Sequence, residues 1–154
     1  MNVTLVNELD VPLGIDTLNE LAAAVMVAEG LAPDTEVAIH LVGVDRIADL
    51  NQQHLGKAGP TDVLSFPIED LVPGAVAAAS DGGPPTNIGD VVICPAVVQA
   101  NAEAAGVEYV DEMALMVVHG VLHLLGYDHV DDADAEQMEG RERELLGAAG
   151  RVRP

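Results

Sequence analysis

Apolar residues recur along this chain at two spacings, and the switches between them outline a series of strands and helices. Val3 to Val6 reads as a short strand, followed by turn chemistry at Asp10 to Gly14. From Asp16, an expected N-cap, Leu18, Leu21, Ala22, Val25 and Met26 repeat at helical spacing until Gly30 and Pro33, which predicts an amphipathic helix lying on a sheet. Glu36 to Val44 is expected as a strand, with His40 on the same face as Ala38 and Val42, so His40 is read as a core or sheet-surface histidine. Asp45 is placed as the cap of a helix running to about Gln53, with Ile47, Ala48 and Leu50 inward and Gly56 as its end. His54 falls at that helix's tail, where the dipole favours a cation.

Thr61 to Phe66 and Ile88 to Ile93 read as further strands, the second interrupted by Asp90, and Pro95 opens a helix that runs to Ala105 before Gly106. Glu69 to Asn87 is the longest irregular stretch, and its low complexity leads us to expect a mobile loop. A helix beginning near Val110 is apolar nearly all round, from Met113 through Leu125, as befits a buried central helix. Asp131 to Glu136 forms an acidic start to a last helix with Met138, Leu145 and Leu146 inward, and these charges suit a solvated N-terminus better than a second metal site. The expected fold is α/β (α+β): a small mixed sheet of four strands packed with helices, the histidine-bearing helix at its centre.

At 154 residues and 49% hydrophobic, the chain suits one domain spanning residues 1–154. Two tyrosines, one phenylalanine and no tryptophan leave the core to alanine, valine and leucine and provide few platforms for stacking bases. The first residues lack a cationic region, and no apolar run is long enough to span a bilayer, so a soluble, cytoplasmic protein without membrane partners is expected. Cys94 is the sole cysteine, read as a small buried hydrophobe on a strand. The net charge of −20 ranks nucleic acid low among partners, because phosphate affinity comes largely from lysine and arginine. Of the six such residues, Arg141, Arg143, Arg151 and Arg153 crowd into the last fourteen positions, leaving Arg46 and Lys57 elsewhere.

His119, His123 and His129 lie within eleven residues. On a helix turning about 100° per residue, His119 and His123 project from one face about 6 Å apart and can grip one metal ion. His129 can join them only if the helix ends in between, and Gly126 stands where a left-handed residue would close it and turn the chain back. Three neutral nitrogen ligands with an open fourth position make a catalytic zinc site, so one Zn2+ is the expected cofactor. The spacing of histidines and glycine is shared with the metzincin peptidases, which makes the expected fold distantly metzincin-like. Gly120, however, occupies the place of their glutamate base and cannot accept a proton. Glu112 falls about 20° from His119 on the helical wheel, yet is expected to favour the helix N-terminus rather than support a ligand.

The block from His119 to His129, H-G-V-L-H-L-L-G-Y-D-H, resembles the signature of the YbeY family of bacterial metal-dependent endoribonucleases in ribosomal RNA maturation and ribosome quality control. The resemblance extends to Pro60–Pro67, to Gly89–Ile93 and to the helix around Met138 and Leu145. It implies that RNA, as an rRNA precursor, and the ribosome or its proteins are partners, with no role for DNA. It also makes Thr61, Asp62 and Ser65 candidates for the wall of the cleft. On this view metal-bound water attacks the RNA phosphodiester, with Asp62 or the hydroxide itself as base, Lys57 as the cation nearest a phosphate, and Asp128 orienting an imidazole. One departure is Leu55, at a position where many members carry arginine. The acidity is then explained either by substrate delivery on a larger particle or by adaptation to a saline cytoplasm. Two rivals remain: a metallopeptidase with an unconventional base, and a non-catalytic assembly factor in which zinc staples the helix end to the following loop.

Overall fold

The computed structural model describes residues 2–9, 17–68, 71–73 and 87–154. Four strands, β1 (Asn2–Asn7), β2 (Glu36–Leu41), β3 (Val63–Pro67) and β4 (Asn87–Ile93), form a mixed sheet of order β1-β2-β4-β3. The first three in that order are parallel, and β3 runs antiparallel to β4 on the edge. Five helices accompany them among the described residues: α1 (Leu18–Ala28), α2 (Val44–Leu55), α3 (Pro95–Ala105), α4 (Tyr109–Leu124) and α5 (Asp132–Ala148).

Strand alternation divides the core. Val37, Ile39 and Leu41 of β2 and Val91 and Ile93 of β4 join the large cluster under α1 and α4, whereas Leu64 and Val92 meet Ile47 of α2 on the opposite face. His40 lies on that second face, its Nε2 2.9 Å from Asp90 Oδ1 with 26% of the side chain exposed. It is thus a sheet-surface histidine, and the residue that interrupts the apolar run of β4 is its partner. Cys94 is buried and free.

Several boundaries differ from the periodicity. β2 stops at Leu41 instead of reaching Val44, because Val44 already opens α2; its N-cap is Gly43, in extended conformation, so Asp45 is a first-turn acid rather than the cap. The strand expected from Thr61 starts at Val63, since Asp62 Oδ1 accepts the Val63 backbone N–H at 2.8 Å and makes a local turn before pairing begins. Thr17 takes the N-cap position of α1 without a side-chain bond. The expected cap Asp16, the turn at residues 10–14 and most of the expected loop at 69–87 lie outside the described residues.

Helix α4 packs on α1, α3, α5, β3 and β4 and buries Met113 through Val118 together with Gly120, Val121, Leu122 and Leu124. It lies tight against the sheet at Gly120, where an added Cβ would stand 2.5 Å from Val91 Cγ1 and 3.4 Å from Val63 Cγ2. Ser65 Oγ donates to the Gly120 carbonyl at 2.9 Å, tying β3 to the same turn. Nothing larger than glycine fits, which gives the departure from the metzincin glutamate a packing cause. Gly120→Ala is expected to lower the unfolding free energy by about 1–3 kcal/mol through overpacking. By contrast Gly140→Ala on α5, whose Cβ meets only Arg143 Nη2 at 3.9 Å, should raise it by about 0.5–1 kcal/mol. Thermal or urea denaturation of the two variants beside the parent measures both signs.

Candidate metal centre

His119 and His123 occupy the last two turns of α4, with ring centroids 4.6 Å apart. The helix then closes by a Schellman arrangement: Gly126 N–H donates to the His123 carbonyl at 3.1 Å and Tyr127 N–H to the Leu122 carbonyl at 3.1 Å. Gly126 has φ +97°, and a side chain there would run into the Leu71 carbonyl, so two independent reasons require glycine. The next residue anchors the turn. Tyr127 is buried, its hydroxyl donates to both oxygens of Glu29 at 3.2 Å, and Arg141 Nε donates to Glu29 Oε1 at 2.6 Å. Three helices are joined there, since Glu29 caps α1, Tyr127 comes after α4 and Arg141 belongs to α5. Asp128 Oδ1 then accepts the His129 backbone N–H at 2.8 Å, and Asp131 Oδ1 accepts from Asp134 N–H at 2.8 Å to cap α5.

The chain so turned brings His129 back to the other two rings, 5.4 Å from His119 and 5.0 Å from His123 between centroids. One ring nitrogen from each of the three lies within 4.8 Å of the others, and this is the single such group of histidine, cysteine or acidic residues among the described residues. His119 and His123 are half-buried and His129 is exposed. Nδ1 of His119 is engaged by Glu142 Oε2 at 3.0 Å, which leaves Nε2 for a ligand. Glu142 is only 1% exposed, and its other oxygen accepts from Arg153 Nε at 3.2 Å. Burial pushes the Glu142 carboxyl up, but the hydrogen bond and charge of His119, aided by Arg153, outweigh it and hold the group below its ordinary value. Burial, then the neighbouring charges of His119 and His129, hold the His123 imidazole below its usual range. A converging set of three imidazoles, one fixed by a buried carboxylate, fits a divalent ion and gives it three protein donors, not four.

All three rings open onto a cavity of about 640 Å³, whose walls also include Leu55, Lys57, Thr61, Asp62 and Ser65. Lys57 sits in the loop after α2, where Gly56 adopts φ +65° and the buried Asn51 donates from Nδ2 to the Gly59 carbonyl at 3.0 Å. Asp62 Oδ1 is taken up by Val63 N–H and by Thr61 Oγ1 at 3.3 Å, while Oδ2 is approached by Asn101 Nδ2 at 3.5 Å. Asp128 lines the cavity, but its hydrogen bond goes to backbone, so the imidazole-orienting role expected of it is filled at His119 by Glu142 instead. Glu112 stands in the first turn of α4 as expected, yet burial and then the charge of Asp62 push its carboxyl up against the pull of Arg153. Glu142 is missed by sequence reasoning, though a signal exists: it falls four residues after Met138 and four before Leu146, on the apolar stripe of α5.

Comparison with known proteins shows the family to which the chain belongs. The family model described as Endoribonuclease YbeY matches residues 7–150. A relative named Endoribonuclease YbeY from Corynebacterium glutamicum is 47% identical over 114 residues, which cover 74% of this chain and 58% of the relative's length. One of the same name from Nocardioides sp. is 41% identical, with 96% of this chain and 97% of the relative covered, and one from Thermobifida fusca is 41% identical with 95% and 92% covered. The solution structure of TM1509 from Thermotoga maritima superposes with a TM-score of 0.61 at 28% identity, covering 96% of this chain and 91% of that one. With a family match across most of its length and relatives of this identity sharing nearly their whole length with it, the chain belongs to the YbeY family.

Proposed function

We propose that this chain is a zinc-dependent endoribonuclease that cuts single-stranded ribosomal RNA precursors, meeting its substrate with the ribosome or ribosomal proteins in the cytoplasm. The observation that carries the proposal is the trio of His119, His123 and His129, gathered within 4.8 Å and open to the wide cleft, in a chain of the YbeY family. No helix among the described residues is long and apolar enough to cross a membrane, which is consistent with this setting.

The three imidazoles would hold one zinc ion, and Nε2 is the His119 nitrogen left for it because Glu142 holds Nδ1. Bound there, the ion supplies Lewis-acid polarisation of a phosphoryl oxygen and brings the pKa of water toward neutrality. The chain's own residues do the rest. Lys57 meets a phosphate of the RNA from the loop after α2, and Asp62, with Oδ1 fixed by its neighbours, takes a proton on Oδ2. The bulk of Val91 against Gly120 keeps the peptidase-type glutamate out of the site, and no observation favours the peptidase or the purely structural reading.

His123→Ala is expected to reduce bound zinc from one ion per chain to almost none and RNA cleavage by more than about 100-fold, with chelator reproducing the loss in the parent. Elemental analysis and a cleavage assay test this, and unchanged values for both would remove the proposal's basis. Protons compete with the ion for the imidazole lone pairs, so acidification releases metal. Because His123 is held below the ordinary imidazole range, protons displace the ion from that ring at a lower pH than from an ordinary imidazole, and zinc release during acid titration tracks the loss. Lys57→Ala should weaken RNA binding and shrink the slope of log K against log salt by about 0.7, and Leu55→Arg, facing the same cavity, should increase it by about the same amount. Fluorescence anisotropy with a single-stranded RNA across a salt series measures both.

A further inference from the structure

Helix α5 gives way to a short non-helical run, residues 149–154, that turns back at Gly150, where φ is +77°. Arg151 N–H donates to the Leu146 carbonyl at 2.8 Å and Arg151 Nη1 to Asp111 Oδ1 at 3.4 Å, which clips the run to the first turn of α4. Arg153 is thereby carried to Glu142, where Nε donates to Oε1 at 3.2 Å while Nη2 stands 3.7 Å from Glu139 Oε1. We propose that Arg153 is a positioning residue of the metal centre: by holding Oε1 of Glu142 it keeps Oε2 on Nδ1 of His119, and so fixes the ring whose Nε2 takes the ion.

The geometry gives each oxygen of a carboxylate that is 1% exposed its own partner, a guanidinium on one and an imidazole on the other. A carboxylate buried this deeply is costly unless both oxygens are bonded. Beside the pair lies a second cavity, about 330 Å³, lined by His119, His129, Met138, Glu139, Glu142 and Arg153. Without the guanidinium, water from that cavity reaches Oε1, the carboxylate is free to rotate, and His119 loses its fixed acceptor. Glu139 and Glu142, one helical turn apart, would also face each other without the cation between them. Arg153 acts through Glu142 rather than on RNA, because its Nε and Nη2 face carboxylates and Nη1 donates to the Pro154 carbonyl at 3.3 Å.

The inference rests on the reading of the three histidines as a zinc site, and its test reads zinc affinity. Zn2+ is titrated into the full chain in competition with a chromophoric chelator, for the parent, Arg153→Ala, Arg153→Lys, Glu142→Gln and the Arg153→Ala/Glu142→Gln double variant. Arg153→Ala is expected to weaken zinc binding about 10-fold or more, Arg153→Lys by about 3-fold, and Arg153→Ala to add less than about 2-fold in the Glu142→Gln background, since both act through one carboxylate. Affinity within about 2-fold of the parent for Arg153→Ala, or an undiminished effect in the Glu142→Gln background, overturns the inference. Should the alanine variant not fold, the lysine variant carries the test, and parental affinity there overturns it equally. A parent chain that binds no zinc defeats the proposed function, whereas a parent that binds zinc only as tightly as its Arg153 variants defeats this inference alone.

Discussion

Helix α4 must be buried on nearly every side and still bring two imidazoles to water. A helix inside a protein cannot present a polar face along its whole length, so the histidines are confined to the end at which it leaves the core. Met113 through Val118 fill the interior, Gly120 lets the backbone settle onto Val91, and near and beyond that contact the histidine rings meet the cleft. The same end carries the negative pole of the helix, which favours a cation beside His123. Core and site are therefore two demands on one element, met by position along it.

Returning His129 imposes the second demand. A glycine turn reverses the chain, but a turn of this kind is stable in one geometry only if the residues just past it are held. Tyr127 supplies the hold by reaching Glu29, and Arg141 neutralises the carboxylate that receives it. Because these three residues belong to or adjoin different helices, the placement of His129 depends on the packing of α1, α4 and α5 together, and the centre is built from tertiary structure rather than from a local motif.

How much of this is legible in the sequence depends on whether the determining contact is local. The convergence of the three histidines, the glycine turn and the apolar helix are readable because helical spacing and backbone conformation are properties of neighbouring residues. Strand alternation places His40 correctly on the sheet surface, yet its pairing with Asp90, fifty residues away, has no local trace. The same holds for Glu142, which reaches His119 across α5 and α4, although a carboxylate on an apolar stripe signals a buried partner. Asp45 is mistaken for a cap because an acid near a helix start is suited to either the cap or the first turn, and only the extended backbone of Gly43 decides between them. The antiparallel seating of β3 on the edge is not readable at all, since strand order is set by which faces the helices cover.

The distribution of positive charge has its cause in the same geometry. In the sequence, four of the six lysines and arginines crowd near the end. In the fold, Arg141 is bound to Glu29, Arg151 to Asp111 and Arg153 to Glu142, so these three side chains compensate carboxylates that the packing has drawn into or against the protein body. Arg46 faces Glu8 at 3.9 Å beside the His40 cavity, on the other side of the sheet from the histidines. Lys57 is then the lysine or arginine on the wall of the cleft. For a chain of net charge −20, long-range attraction cannot gather a polyanion to that wall, and one lysine neutralises one phosphate. On the proposed function, affinity must therefore come from contacts made after encounter with the cleft that Lys57 and the three histidines line. The proposed delivery of RNA by a larger assembly, already oriented and at high local concentration, would meet that requirement.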